Sequence, residues 1–292
     1  MAITAPVPAA QPVRSDRAQA RIETIRLLLK RPGFVIGSLI ILMWLVFAIA
    51  GSAITPHDPF DDFFAGQQPP SAEHPMGTDH LGRDVLSRVM VGARDVFTVA
   101  PIAAIIGVVA GSILGLAMGY YRGPFDDVMS RIVEAFLALP VVLVALLTLV
   151  VLGSSTVVVI LVVGILFTPI VARTVRSTVI SERQLDYVTA AKLRGESGPF
   201  ILIREIFPNV LPPIIVEMTV RFGYAIFTVA TLSFLGVGIQ PPSADWGLTI
   251  SEEYTFMIAG IWWSTFFPAL AIATTVIAIN LIADALHAVM SE

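Results

Sequence analysis

Cysteine is absent from this 292-residue sequence. Its absence excludes disulfides, thiolate metal sites and a cysteine nucleophile, and leaves the redox compartment open. Charge is scarce as well. Asp, Glu, Lys and Arg make up 14% of the chain, where soluble domains carry about a quarter. There are four histidines: His57, His74 and His80 within one short stretch, and His287 near the C-terminus. Their separations match no zinc signature, so no metal site is expected. No G-x-x-x-x-G-K-[ST] loop is present to cradle nucleotide phosphates, and no G-x-S-x-G elbow to carry a nucleophile. An intramembrane hydrolase would need a nucleophile and a base at membrane depth, and no histidine is placed there. No catalytic residue is therefore expected.

What fills the space is apolar: 56% of residues are hydrophobic. A helix crossing a bilayer needs about 20 mainly apolar residues. Six runs qualify, at about 34–54, 96–120, 132–152, 156–172, 213–236 and 257–282. The expected fold is an all-α polytopic membrane protein with six transmembrane helices. Ala48-Ile49-Ala50, after a basic N-terminal region, could mark a cleaved signal. Signal cores span about 7–15 residues, however, so the longer run reads as a retained anchor.

The basic residues orient the spans. Arg14, Arg17, Arg21, Arg26, Lys30 and Arg31 precede the first, and Arg122 and Arg131 lie between the second and third. Arg173, Arg176, Arg183, Lys192, Arg194 and Arg204 lie between the fourth and fifth. The other side holds only Arg83, Arg88 and Arg94. The positive-inside rule then puts both termini in the cytoplasm of a cell-membrane protein. Residues 1–33 read as a cytoplasmic tail, disordered over 1–20. Residues 55–95 read as an outer loop, with an interfacial amphipathic helix on Val85, Leu86, Val89, Met90 and Ala93. Residues 96–292 hold the remaining five spans. Trp262 and Trp263 suit anchors at the outer membrane interface.

Several positions inside the spans carry information. Gly107, Gly111, Gly115 and Gly119 stand four apart and line one helix face. Small residues at that spacing let a second backbone approach closely, which favours helix packing over a pore lining. Glu217 and Arg221 are also four apart. An ionisable residue costs about 2.5–3.5 kcal/mol on insertion scales. The pair therefore reads either as an inner gate or as an assembly contact. Arg131 with Glu134 reads as structural, and Asn280 with Asp284 as a source of helix-to-helix hydrogen bonds.

The segment 181–212 is cytoplasmic on this topology yet patterned as structure. Asp186 is a plausible N-cap for a helix running to Arg194, and Gly195 stands where helices stop. Ser197 can cap a second helix with Pro199 just inside it. Pro208 and the Pro212-Pro213 pair are expected to end that helix before the fifth span. Ala190 and Ala191 give the first arm small side chains, suited to a groove on another protein.

This segment resembles the EAA loop of ABC-importer permeases. Ala190, Ala191, Gly195 and Pro208 match the pattern, while Thr189, Glu205 and Phe207 replace its acidic, Ile and Leu positions. Gly77-Thr78-Asp79 and Leu81-Gly82-Arg83-Asp84-Val85-Leu86-Ser87-Arg88 are similar to the C-type subunit of dipeptide and oligopeptide permeases. So are Leu137-Ala138-Leu139-Pro140, Asp186-Tyr187-Val188 and Leu232-Ser233-Phe234-Leu235-Gly236. Gln240-Pro241-Pro242, Asp245-Trp246-Gly247, Asn280-Leu281 and Asp284 complete the ordered set.

The resemblance implies a type I ABC importer permease fold with 181–212 as its coupling helix. It implies a second homologous permease, two ATP-binding subunits that hold ATP and Mg, and an extracytoplasmic substrate-binding protein. It further implies a peptide cargo, and Gln240, Pro241, Pro242, Asp245 and Trp246 facing the binding protein. On this chain no cofactor is expected, and beyond membrane lipid and these proteins no nucleic acid. Within the family the alternative cargo is nickel or another small solute. An ion-coupled secondary transporter would instead favour internal repeats, and no convincing inverted repeat is visible.

Overall fold

The computed structural model describes residues 23–290, so the tail expected over residues 1–20 lies outside the described residues. The architecture rests on helices α1 (Pro32–Ile54), α2 (Val85–Tyr121), α3 (Gly123–Leu137), α4 (Val141–Leu152), α5 (Thr156–Glu182), α6 (Asp186–Leu193), α7 (Phe207–Phe234), α8 (Trp246–Glu253) and α9 (Trp263–Met290). No strand forms among the described residues. α1, α2, α5, α9 and the continuous helical stretch Gly198–Phe234 are long and apolar enough to cross a membrane. The bent pair α3–α4 would make a sixth span.

The tightest helix pair is α2 with α5, and the glycine stripe makes it so. A Cβ at Gly111 would lie 2.6 Å from the Val171 Cβ, and one at Gly115 would lie 2.6 Å from the Ala172 carbonyl. At Gly107 and Gly119 it would lie 2.7 Å from the Cβ of Phe167 and of Val179. The partner helix is thus in this chain, and the four glycines serve as the groove into which α5 lies. Around the pair, Ala93, Ala100, Ala103, Ala104 and Val163 continue a small-residue core that α7 and α9 cover.

Four expectations are corrected. The third span is not one straight helix: α3 and α4 meet at 86°. Pro140 lacks an N–H and biases the preceding Leu139 away from helical backbone, so the ladder breaks there. α4 alone, with 12 residues, is about 18 Å long, short of the roughly 30 Å hydrocarbon core.

The expected interfacial helix is no separate element, because Val85–Ala93 is the first part of the 37-residue α2. On its polar face Arg88 is covered by protein, while Arg94 stays exposed. Arg88 is 1% exposed and donates to Thr249 Oγ1 (3.2 Å) and the Ser243 carbonyl (3.3 Å).

Nor do Pro208, Pro212 and Pro213 end the second helix of the 181–212 segment. They sit inside α7. A π-helical stretch, Ile201–Ile206, leads into it, with the Phe207 N–H reaching back five residues to the Leu202 carbonyl. The Asn209 side chain donates to the Glu205 carbonyl (2.9 Å). This register change and side-chain bond accompany the prolines without a break.

The last span starts at Trp263, not near Met257. Tyr254–Ala259 is a 3-10 turn closed by Gly260 at φ +85°.

Candidate functional site

Three regions carry the residues singled out by the sequence. The first is α6 and its turn. Leu185, with extended backbone, is the residue before the helix, so Asp186 lies in the first turn and is not the cap. Its carboxylate still faces the positive end of the helix dipole.

Two faces of α6 then diverge. Val188 and Ala191 are fully buried, in one cluster with Tyr120 of α2, Val179 of α5, Ile201 and Ile206. Asp186, Thr189, Ala190 and Leu193, at i, i+3, i+4 and i+7, are exposed, Leu193 at 85%. The two alanines therefore have opposite roles. Ala191 seats α6 on its own chain, and only Ala190 presents a small outward side chain.

The turn is tied down from both sides. Tyr187 Oη donates to Glu182 (2.6 Å), and burial, followed by this carboxylate, pushes the phenol up to about 12. Gly195 adopts φ +77°, a left-handed value that disfavours any other residue. Arg194 bonds Glu205 across the turn at 3.0 Å. Pro208 is exposed near the start of α7.

The second region is the N-terminal half of α7 and the C-terminal half of α9. Glu217 and Arg221 pair at 2.8 Å with side chains 13% and 11% exposed. The Arg221 guanidinium stacks 4.8 Å over the Tyr224 ring. A cavity of about 360 Å³ opens beside Glu217, lined by Thr174, Pro212, Pro213, His287 and Met290. A second, of about 270 Å³, lies between Tyr224, Phe227 and Asn280. On α9, Asn280, Asp284 and His287 are exposed along one face. The expected helix-to-helix hydrogen bonds of Asn280 and Asp284 are not formed among the described residues. Polar groups on a lipid-facing surface are costly, so this face points to water or protein.

The third region is the cap at the opposite end, built from the loop before α2 and from α8. Gln240, Pro241 and Pro242 are exposed, with a cis peptide between the prolines and the Gln240 amide donating to the Gly236 and Gly238 carbonyls. Asp245 and Trp246 depart from the expected binding-protein surface, because both are buried. Asp245 caps α8 by accepting from the Leu248 N–H (2.9 Å), and burial pushes its carboxyl up to about 6. The Trp246 indole donates to the Val89 carbonyl (2.9 Å) and meets Trp44 edge-on at 4.8 Å. Of the two tryptophans expected as membrane anchors, Trp262 is exposed, but Trp263 is buried and donates to the Thr78 carbonyl (3.0 Å).

Sequence spacing did not disclose the long-range polar contacts. Asp79 accepts from Arg83 (2.6 Å), which also holds Glu252 of α8 at 2.9 Å, and His80 pairs with Glu253. The motif Gly77 to Arg88 is thereby a clasp between the outer loop and α8. Asp126 of α3 takes both the Nε and Nη2 of Arg176 on α5, at 2.5 and 2.7 Å. Arg131 and Glu134 pair at 3.1 Å on the exposed side of α3, where such bridges contribute about 0–1 kcal/mol. The outer loop also gathers His57, His74 and Asp84, which no spacing rule connects.

Known proteins align along most of the chain. Residues 107–292 match the family described as binding-protein-dependent transport system inner membrane component. The dipeptide transport system permease protein DppC of Bacillus subtilis is 38% identical over 261 residues, covering 89% of this chain and 82% of that protein. DppC of Alkalihalophilus pseudofirmus is 37% identical over 266 residues, 91% of this chain and 87% of that one. The glutathione transport system permease protein GsiD of Escherichia coli O6:K15:H31 is 38% identical over 252 residues, 86% and 83% of the two chains. With its apolar helices and this ordered match, the chain is a multi-pass membrane protein of the binding-protein-dependent transport system inner membrane component family.

Proposed function

We propose that this chain is one of two permease subunits of an ATP-driven importer that carries peptides delivered by an extracytoplasmic binding protein. The observation that carries the reading is the two-faced α6. Its inner face is locked to α2, α5 and the start of α7 by Val188 and Ala191, and its outer face is bare at Asp186, Thr189, Ala190 and Leu193. A helix so mounted transmits displacement, because its packed face cannot move without moving the spans. ATP and Mg belong on two partner subunits, which grip this outer face. Both termini are then cytoplasmic.

The route of force follows from the contacts. Motion of α6 reaches α7 through Ile201 and Ile206, and reaches α2 through Tyr120. The Glu217–Arg221 pair stands on α7 near the inner cavity, where tilting of that helix would open or close a charged constriction. Asn280, Asp284 and His287 complete the polar face across from it. Peptides, with charged termini and many amide groups, suit such a lining. The cargo assignment draws on the dipeptide and glutathione permeases that this chain resembles. Gln240, Pro241 and Pro242 provide the exposed outer loop for the binding protein.

Co-purification under mild detergent tests the reading. ATP-hydrolysing subunits and a second permease are expected in the complex. A complex recovered intact without an ATPase subunit refutes it.

A further inference from the structure

On the outer side of the molecule, three potential metal ligands that are distant in sequence converge. One donor atom from each of His57, His74 and Asp84 lies within 4.8 Å of the others. The site is built, not incidental. His74 is 1% exposed and Asp84 0%, and Phe64 packs edge-on against both imidazoles at 4.9 and 4.6 Å. The two rings lie 4.9 Å apart.

The hydrogen bonds around the rings resemble the outer shell of a metal site. His74 Nδ1 sits 2.9 Å from Asp84 Oδ1, and His57 Nε2 sits 3.3 Å from the Glu73 carbonyl. The Glu73 carbonyl can only accept, so His57 Nε2 carries the hydrogen and His57 Nδ1 keeps a free lone pair, while the hydrogen that His74 Nδ1 shares with Asp84 Oδ1 is the one a metal ion would displace. A ligating histidine is oriented in just this way, by donating its second N–H to a backbone carbonyl, as His57 does to Glu73. Asp84 is itself fixed by Ser87, whose backbone N–H and hydroxyl both donate to Oδ2 at 2.8 and 2.7 Å.

We propose that His57, His74 and Asp84 bind one first-row divalent transition metal ion, zinc foremost, which clamps the outer loop onto the start of α2. Imidazole and carboxylate donors suit zinc, and its filled d shell tolerates an irregular three-ligand set completed by water. Zinc–nitrogen bonds near 2.0–2.1 Å require donors roughly 3.4 Å apart. His74 Nδ1 and Asp84 Oδ1 already stand 2.9 Å apart, and the His57 donor, within 4.8 Å of both, closes on them. His57 is the half-buried member on the loop and the one with room to move. The two anchored members lie at or beside the helix start, with Asp84 as the cap of α2. The inference is independent of the transport reading.

Zinc retention tests it. The full chain, with its co-purifying subunits and a histidine-free affinity tag, is stripped with chelator, re-equilibrated with zinc chloride and assayed for bound metal. About one zinc per chain is expected, from the one such cluster among the described residues. His57→Ala is expected to lose it. His80→Ala, whose imidazole pairs with Glu253 instead, keeps it. Asp84→Asn preserves a competent helix cap and weakens zinc about 10–100-fold or more. Zinc raises the melting temperature of the wild type and not of His57→Ala. Wild-type protein that retains no more zinc than His57→Ala overturns the proposal. So does a His57→Ala variant that keeps the full equivalent.

Discussion

Leu193 offers the sharpest perturbation of the proposed coupling contact. It is 85% exposed at the tip of α6, so its side chain contributes almost nothing to the fold of this chain. Leu193→Ala removes three carbons at about 0.8 kcal/mol each when buried. With most of that surface available to a partner, the ATPase subunits should lose about 2 kcal/mol of binding. That corresponds to roughly thirty-fold in affinity. Stability should change by no more than about 0.5 kcal/mol, as for surface substitutions generally. Ile258, in the turn after α8 and 96% exposed, is a matched control. The assay is ATPase-subunit retention after detergent extraction, read beside peptide uptake and thermal melting of the permease. Leu193→Ala should lose retention and uptake with an unchanged melt, and Ile258→Ala should lose neither. Wild-type retention and uptake by Leu193→Ala would refute the docking face. Ala191 is unsuited to this test, since it is buried and a bulky charge there disturbs the fold first.

Other expectations follow from the geometry. Gly111→Leu drives a side chain into Val171 and the Thr168 carbonyl. It should cost about 1–3 kcal/mol or more, seen as a lower melting temperature, while Gly123→Ala probes only backbone strain because its Cβ meets nothing. Glu217→Ala strands the buried Arg221 guanidinium at a penalty of about 3–5 kcal/mol. The exchange Glu217→Arg with Arg221→Glu should recover most of the melting temperature, and no recovery would argue against a direct pair. Burial raises the Asp245 carboxyl from 3.8 to about 6, so the folded chain holds more protons than the unfolded chain between those values. Its contribution to stability is therefore greatest near pH 4 and is lost as pH rises through about 6. Asp245→Asn still caps α8, and its melting temperature should fall less than that of the wild type between about pH 5 and pH 7. The native absence of cysteine makes single-thiol mapping direct. Asn280→Cys and Asp284→Cys should react with a water-soluble maleimide, and Ile113→Cys on an apolar face should not; equal labelling would contradict a polar passage.

Much of this protein was legible from one dimension. Apolar runs of about 20 residues are dictated by bilayer thickness, so the helical membrane class needs no tertiary information. Gly195 was readable as a helix stop because a left-handed backbone selects glycine. The glycine stripe announced a close helix contact by its period alone, since every fourth residue shares a face. What a linear pattern cannot carry is which face meets which neighbour. The stripe could have met any helix, and the fold chose α5. Ala190 and Ala191 are identical in sequence and opposite in burial, because a step of about 100° around α6 separates packed from bare. Asp245 and Trp246 read as an exposed loop until α8 folds them under Val89. Pro140 lies inside the third apolar run, but that the chain bends there by 86°, with α3 tied to α5 through Asp126 on Arg176, belongs to the fold. His57, His74 and Asp84 are an extreme case. Their spacing resembles no site, because the loop that joins them is held by tertiary contacts, and convergence of that kind exists only once the chain has folded.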